Sequence, residues 1–205
     1  MPLLSPLVEC WATHGDARAG IIPADGCMDL VWNGSGIVVA GPDSRARRFT
    51  PAGRTPMWGA RFHPGLLPSI LRVPASELTD RYVPIDQVAP LAVGPEQLRD
   101  SAFLHALCTK HGFDPTPLHV AELLQAGTPV DHVARSVNWS TRHLRRLSMD
   151  WFGYGPKHLQ RVLRLRRAQV LLDQGLSVTE AAARLDYADA SHLWRDRRDL
   201  GTAPT

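Results

Sequence analysis

The sequence predicts an α+β chain: a small N-terminal β unit, barrel- or sandwich-like, followed by an all-α unit in which a short-helix, tight-turn, helix arrangement occurs twice. Three observations carry this. Up to about Pro90 the chain is rich in Gly and Pro, and its apolar residues come in short runs, the texture of strands and turns. After Pro95 the apolar residues fall at helical spacing instead. Charge divides along the same line: up to residue 127 there are ten Lys and Arg against twelve Asp and Glu, and beyond it thirteen against eight. The division read from this is 1–90, a helical connector at 91–113, and 114–205.

Composition sets the outer limits. With 205 residues, 44% hydrophobic and 21% charged, the chain can bury a core and is not of the disordered class. No stretch approaches 18 uninterrupted apolar residues, which excludes a membrane-spanning helix. Met1 to Val8 lacks a basic leader region and reaches Glu9 quickly, so no secretory signal is expected. Cys10, Cys27 and Cys108 form no CxxC pair, which fits a reducing cytoplasm and argues against a disulfide framework or a Cys-rich zinc site.

Met28–Trp32 and Ile37–Ala40 are two β-rich runs across Asn33-Gly34-Ser35-Gly36, a hairpin signature. Trp58–Phe62 reads as a third strand, ended by His63-Pro64-Gly65. Leu66–Leu71 and the stretch from Ser76 are short turns or helices. Glu96–Lys110 places Leu98, Ala102, Phe103, Ala106 and Leu107 at helical spacing; this connector is either a strut or a pairing surface for two subunits. Leu118–Gln125 is a further helix, stopped by Gly127.

From there the helices carry the chemistry. Val130–Val137 is a short helix with Val130, Val133, Ala134 and Val137 on one face. Asn138 can take the left-handed conformation that a sharp turn needs, and Ser140 is a candidate N-cap. The next helix turns Leu144, Leu147 and Trp151 inward and Arg142, Arg145 and Arg146 outward, since residues three and four apart share a face. Between Arg135 and Arg167 there are nine basic residues and one acid, Asp150. Nearly all are Arg, whose guanidinium can bridge phosphate oxygens or a guanine edge. Pro156 opens one long amphipathic helix through Leu172 with Leu159, Val162, Leu163, Leu165, Ala168, Leu171 and Leu172 on its buried side. The arrangement then recurs: Ser177 and Glu180 form a capping box, Asp186–Asp189 is a turn, and Ala190–Arg198 is the second outward helix. Two such helices on one rigid strut suit successive major-groove segments of duplex DNA.

On these residues the region from about Val130 to Pro204 resembles the AraC/XylS DNA-binding domain. The resemblance runs through Ala134, Ser140 and Leu144-Arg145-Arg146, then Gly153-Tyr154-Gly155-Pro156-Lys157, then Arg164–Ala168 and Leu171-Leu172. It continues through Val178, Ala181-Ala182, Leu185, Tyr187-Ala188-Asp189, Ser191-His192-Leu193, Arg195, Arg198, Gly201-Thr202 and Pro204. It implies a sequence-specific transcription regulator and not an enzyme. Ser140, Thr141, Arg142, Arg145, Arg146 and Lys157 would touch DNA from the first unit and the strut, and Ser191, His192, Trp194, Arg195 and Arg198 from the second. Double-stranded DNA is the implied partner, with RNA polymerase, a small-molecule effector and a second copy of the chain as further candidates, and no cofactor.

Three departures stand against the family pattern. Asp186 replaces a usual Gly in the second turn, Arg197 replaces a core aromatic, and the chain stops at Thr205 where the family adds a short closing helix. Together they predict a weakened second unit. The N-terminal half, through Ile22–Trp32, Val39–Pro42 and Gly59–Gly65, resembles a small cupin-like domain found ahead of AraC-type heads, which implies a regulatory or sensor role.

The alternative is a cupin-like small-molecule-binding enzyme, or an interaction module, with a degenerate head. His14, Asp16, Asp25, Asp29 and His63 are the candidate metal ligands, yet none forms a paired-His motif or facial triad. His63 and Asp25 read better as turn residues, and His105, His111 and His119 as surface residues. Cys27 is a candidate reactive thiol, although the metal-held cysteines of the one AraC-headed methyl-transfer repair protein are absent. Gly153-Tyr154-Gly155 is too short to cradle a phosphate. Trp11, Trp32 and Trp58 either fill the β core or line a pocket.

Overall fold

The computed structural model describes residues 7–13, 19–51, 55–110 and 114–201. The expectations that fall on His14, Asp16, His111, Thr202 and Pro204 therefore lie outside the described residues.

Seven strands and nine helices are found among the described residues, with β1 Val8–Ala12, β2 Gly20–Ile22, β3 Met28–Trp32, β4 Ile37–Ala40, β5 Arg47–Phe49, β6 Trp58–Phe62 and β7 Tyr82–Pro84. The helices are α1 Leu66–Leu71, α2 Ala75–Leu78, α3 Ser101–Lys110, α4 Thr116–Gln125, α5 Val130–Ser136, α6 Thr141–Phe152, α7 Pro156–Asp173, α8 Val178–Arg184 and α9 Ala190–Leu200. No helix among these residues is long and apolar enough to cross a membrane.

The N-terminal half is a five-stranded antiparallel sheet in the order β1-β6-β3-β4-β7, with β2 and β5 forming a separate two-stranded ribbon. The expected hairpin is β3–β4, with Leu30 opposite Val39. Its turn is closed by Asn33, whose Oδ1 accepts from the backbone N–H groups of Ser35 (3.0 Å) and Gly36 (3.1 Å), while Gly34 sits at φ +94°. The apolar runs are nearly continuous because both faces of the sheet are covered. Met28, Leu30, Ile37, Val39, Ala60 and Phe62 face the helices of the main core. Val31, Val38 and Ala40 face Met57, Trp11 and Phe49 in a smaller one. β1, β2, β5 and β7 were not legible because they are short or carry little alternation.

The sequence reads residues 96–110 as one helix; the structure breaks it at Asp100 into a 3₁₀ turn, Pro95–Arg99, and α3. Asp100 accepts from the backbone N–H groups of Ala102 and Phe103, restarting the helix. Leu98, Leu104, Leu107 and Cys108 are buried in the core of the β domain, so this segment is a strut laid along the sheet.

In the C-terminal half α7 serves two cores. Leu159 and Leu163 pack with α4, α5 and α6, whereas Val162, Leu165 and Ala168 pack with α8 and α9. Leu171 and Leu172, expected in the buried stripe, are only partly buried at its end.

Candidate nucleic-acid interface

Each unit turns on a left-handed residue. Asn138 has φ +57° and Asp186 φ +54°. In both, the next backbone N–H reaches back to close the preceding helix: Trp139 to the Ala134 carbonyl (2.9 Å) and Tyr187 to the Ala182 carbonyl (3.1 Å). Asp186 thus keeps the turn that Gly usually makes, and Arg164 supports it by donating to the Asp186 carbonyl (3.4 Å) while stacking over the Tyr187 ring (4.0 Å).

The outward helices are capped at their N-termini. Ser140 accepts from the His143 backbone N–H at 3.1 Å, as expected. Asp189 does the same for His192 at 2.6 Å, a cap the sequence reading missed although Asp is a favoured residue there. Each cap contributes about 1 kcal/mol. On α8, Ser177 and Glu180 form the predicted capping box.

Of the DNA-contact candidates, Ser140, Thr141, Arg142, Arg145, Arg146, Lys157, Ser191, Trp194, Arg195 and Arg198 are exposed. His192 is half-buried, its ring edge-on to Tyr187. Trp194 is 45% exposed, a large cost for an aromatic unless something covers it.

The basic run sorts into two groups. Arg135 is held by Asp131 (2.8 Å), Arg161 by Asp196 and Asp199 (2.6 and 3.0 Å), and Arg167 by the Gln125 carbonyl (2.7 Å). Arg142 and Arg145 have no carboxylate partner among the described residues, and Arg146 has only a distant one, Asp150 at 3.9 Å. The α6 stripe is thus exposed without a close carboxylate, as is Arg166 on α7, whose guanidinium reaches Cys27 Sγ at 3.8 Å. A basic groove between the end of α4, α7 and α8 is lined by Lys157, Arg164, Arg167 and Arg184.

Arg197 does what a charged residue in an aromatic's place must do. It is half-buried and lays its guanidinium over Trp194 (4.7 Å), but its Nε is buried without a partner.

A helix-turn-helix domain model matches residues 133–205, and the model of a domain of unknown function, DUF6597, matches residues 1–84. Residues 133–205 thus carry a helix-turn-helix domain. No curated protein matches the chain. Among solved structures it is similar to ToxT from Vibrio cholerae O395, at 10% identity over 96% of this chain and 94% of that one with a TM-score of 0.49. A second ToxT structure, bound to (E)-4-(8-methylnaphthalen-1-yl)but-3-enoic acid, is similar at 11% identity over 96% of both chains, with a TM-score of 0.50. A third, unsaturated fatty acid bound ToxT from strain SCE256, gives 10% identity over 93% of this chain and 89% of that one, with a TM-score of 0.43. The likeness to the second of these, at 11% identity and a TM-score of 0.50, is one of fold alone.

The β domain holds a cavity of about 410 Å³ between the sheet and the β2–β5 ribbon. Trp11, Phe49 and Met57 wall it, and Asp25, Asp29 and Arg61 give it a polar side. Arg61 donates twice to Asp29 (both 3.1 Å) and pairs with Asp25 (3.2 Å), while Trp11 Nε1 donates to Asp29 (3.2 Å). Burial pushes the Asp29 carboxyl up to about 6 despite Arg61. Asp43, paired with Arg47 at 2.6 Å, is likewise pushed up to about 6 by burial. Trp11 is thus a pocket residue, whereas Trp32 and Trp58 stack on each other (5.8 Å) against the main core.

No group of three or more His, Cys, Asp or Glu among the described residues could hold a metal ion. Cys27 is buried, and burial raises its thiol well above its ordinary range, aided by Asp25, so it is held as the thiol and not the nucleophilic thiolate. His63 follows its strand as a turn residue beside the Pro64 carbonyl (3.3 Å), and burial lowers its pKa.

Proposed function

We propose that this chain is a DNA-binding regulator of the AraC type and reads double-stranded DNA with α6 and α9 in successive major-groove segments. Arg142, Arg145, Arg146, Ser191, His192, Trp194 and Arg195 meet base edges, and Ser140, Thr141, Lys157 and Arg198 meet phosphates. The observation that carries this reading is the α6 stripe: its guanidiniums are exposed while other arginines of the same basic run are tied to Asp131, Asp196, Asp199 and Gln125.

The test is fluorescence anisotropy on duplex DNA from the region upstream of its own coding sequence, against a scrambled duplex, across a salt series. A native duplex bound at least ~10³-fold tighter supports the reading, as specific complexes usually differ by that much. Equal, weak binding to both overturns it.

The β domain is proposed to hold a small-molecule effector in the cavity between Trp11, Phe49 and Asp29. A partly aromatic cleft with a few convergent polar groups is what such ligands need. This is favoured over association alone because that space is built into the domain. RNA polymerase and a second copy of the chain are further partners that the family resemblance suggests, and the cytoplasm is the proposed place of work.

A further inference from the structure

The strut α7 is one connection between the two reading helices. The β domain makes another, and it grips both helices at the ends that point away from their N-terminal reading turns. On the first unit the contact is Gly153, the cap that ends α6. Thr79 Oγ1 donates to the Gly153 carbonyl at 3.2 Å, and a Cβ at Gly153 would run into Thr79 and come within 2.7 Å of Pro42. On the second unit two backbone donors of the β domain close the last turn of α9. The Ala24 N–H bonds the Leu200 carbonyl at 2.8 Å, and the Ala46 N–H bonds the Asp199 carbonyl at 3.0 Å. The final carbonyls of a helix lack partners of their own, so these bonds fill acceptors that would otherwise need water. Ala24 also inserts its side chain into the core shared by α7, α8 and α9, where it is 4% exposed.

We infer that Ala24 and Ala46 are positioning residues for DNA reading: they fix α9 on the β domain while Thr79 fixes α6 on the same body, so the two reading helices keep one separation. This rests on the reading that both α6 and α9 meet DNA. Two modules held at the separation their target demands bind with an avidity that neither has alone. The segments that do the holding also wall the β-domain cavity. Pro23 and Asp25 flank Ala24, and Asp43 and Arg47 bracket Ala46; all four line that space. An occupant that shifts these walls therefore moves the seat of α9, and it reaches the α6 seat as well through Gly41 and Asp43, which flank Pro42.

The experiment uses the full chain with two variants. Ala24→Glu drives a carboxylate into the α7–α9 core and undocks the second unit. Ala46→Pro removes a single N–H donor. A two-segment duplex is selected from a random library by the wild-type chain, and a shortened duplex keeps only the segment of the first unit. Hydrogen exchange over 193–201 is read beside the two affinities. Both variants are expected to speed exchange at the end of α9 and not in α6. They should weaken the two-segment duplex tenfold or more, and leave the one-segment duplex within twofold. Released exchange with unchanged two-segment affinity overturns the inference, as does unchanged exchange in both variants. If Ala24→Glu weakens both duplexes alike it has unfolded the head, and Ala46→Pro alone decides. A wild-type chain that selects only one segment overturns the two-helix reading itself, and this role with it, before any variant is made.

Discussion

Arg161 on α7 donates its Nε–H to Asp196 on α9 at 2.6 Å, across a boundary where Asp196 is 1% exposed. Arg164 approaches the other carboxylate oxygen at 3.6 Å. Two cations thus surround a buried anion and lock α9 against α7. Removing one member of a buried pair costs about 3–5 kcal/mol. Arg161 is about a third exposed and keeps Asp199, so Asp196→Ala should destabilise at the low end, by about 3 kcal/mol. Urea unfolding measures this; a change under ~0.5 kcal/mol, the size of an ordinary surface substitution, would show that the pair does not hold the unit.

Replacing Arg142, Arg145 and Arg146 together by Ala should abolish sequence preference, since each base contact is worth about 1–3 kcal/mol. Any of the three that meets a phosphate instead should lower the salt slope of binding by about 1. Stability should hardly change, because their side chains are exposed on α6. Anisotropy titrations of specific and scrambled duplexes read both effects, and retained preference would remove α6 from base reading.

Arg197 leaves a buried Nε without a partner. Arg197→Phe restores an aromatic and removes that donor, and a buried unsatisfied group costs about 1–3 kcal/mol. The expected outcome is a gain of about 1 kcal/mol in the second unit, read as a higher melting temperature. A lower one would mean that the stack on Trp194 outweighs the orphaned donor.

Gly153 combines φ +79° with contact to the β domain. Ala there should cost about 1 kcal/mol for the left-handed backbone and as much again for displacing Thr79 and Pro42. Gly175 has φ +90°, but a methyl group added there would meet nothing within 4 Å, so Gly175→Ala should carry the backbone cost alone. Equal losses in the two variants would show that the Gly153 contact contributes nothing.

Asp29 titrates at about 6 in the folded chain, against about 3.9 unfolded. A carboxyl raised in this way takes up its proton first in the native state. Its contribution is complete below about pH 4 and is lost as pH rises through 6, a change of about 2–3 kcal/mol. Asp29→Asn should flatten that fall in a series of urea midpoints from pH 4 to 7. An unchanged slope would place the titration elsewhere, Asp43 being the next group with the same direction.

What could be read along the chain was local in its physics. Asn138 and Asp186 had to turn left-handed to end one helix and begin another, Ser140 and Ser177 had to cap, and Arg142, Arg145 and Arg146 had to share a face. Each is settled within a few residues by backbone sterics or helical period. The Met28–Ala40 hairpin was legible for the same reason, a turn that Asn33 closes on its own.

Tertiary structure decided the rest. Nothing local says that Arg161 and Arg164 spend their charge on Asp196 while Arg142 and Arg145 have no carboxylate partner among the described residues, because the sorting depends on which helix faces α7. Nothing local brings Ala24 and Ala46 to the end of α9, or encloses the space between Trp11, Phe49 and Asp29. These contacts join residues far apart in the chain, and only when the two domains close do burial and unfilled backbone acceptors select them.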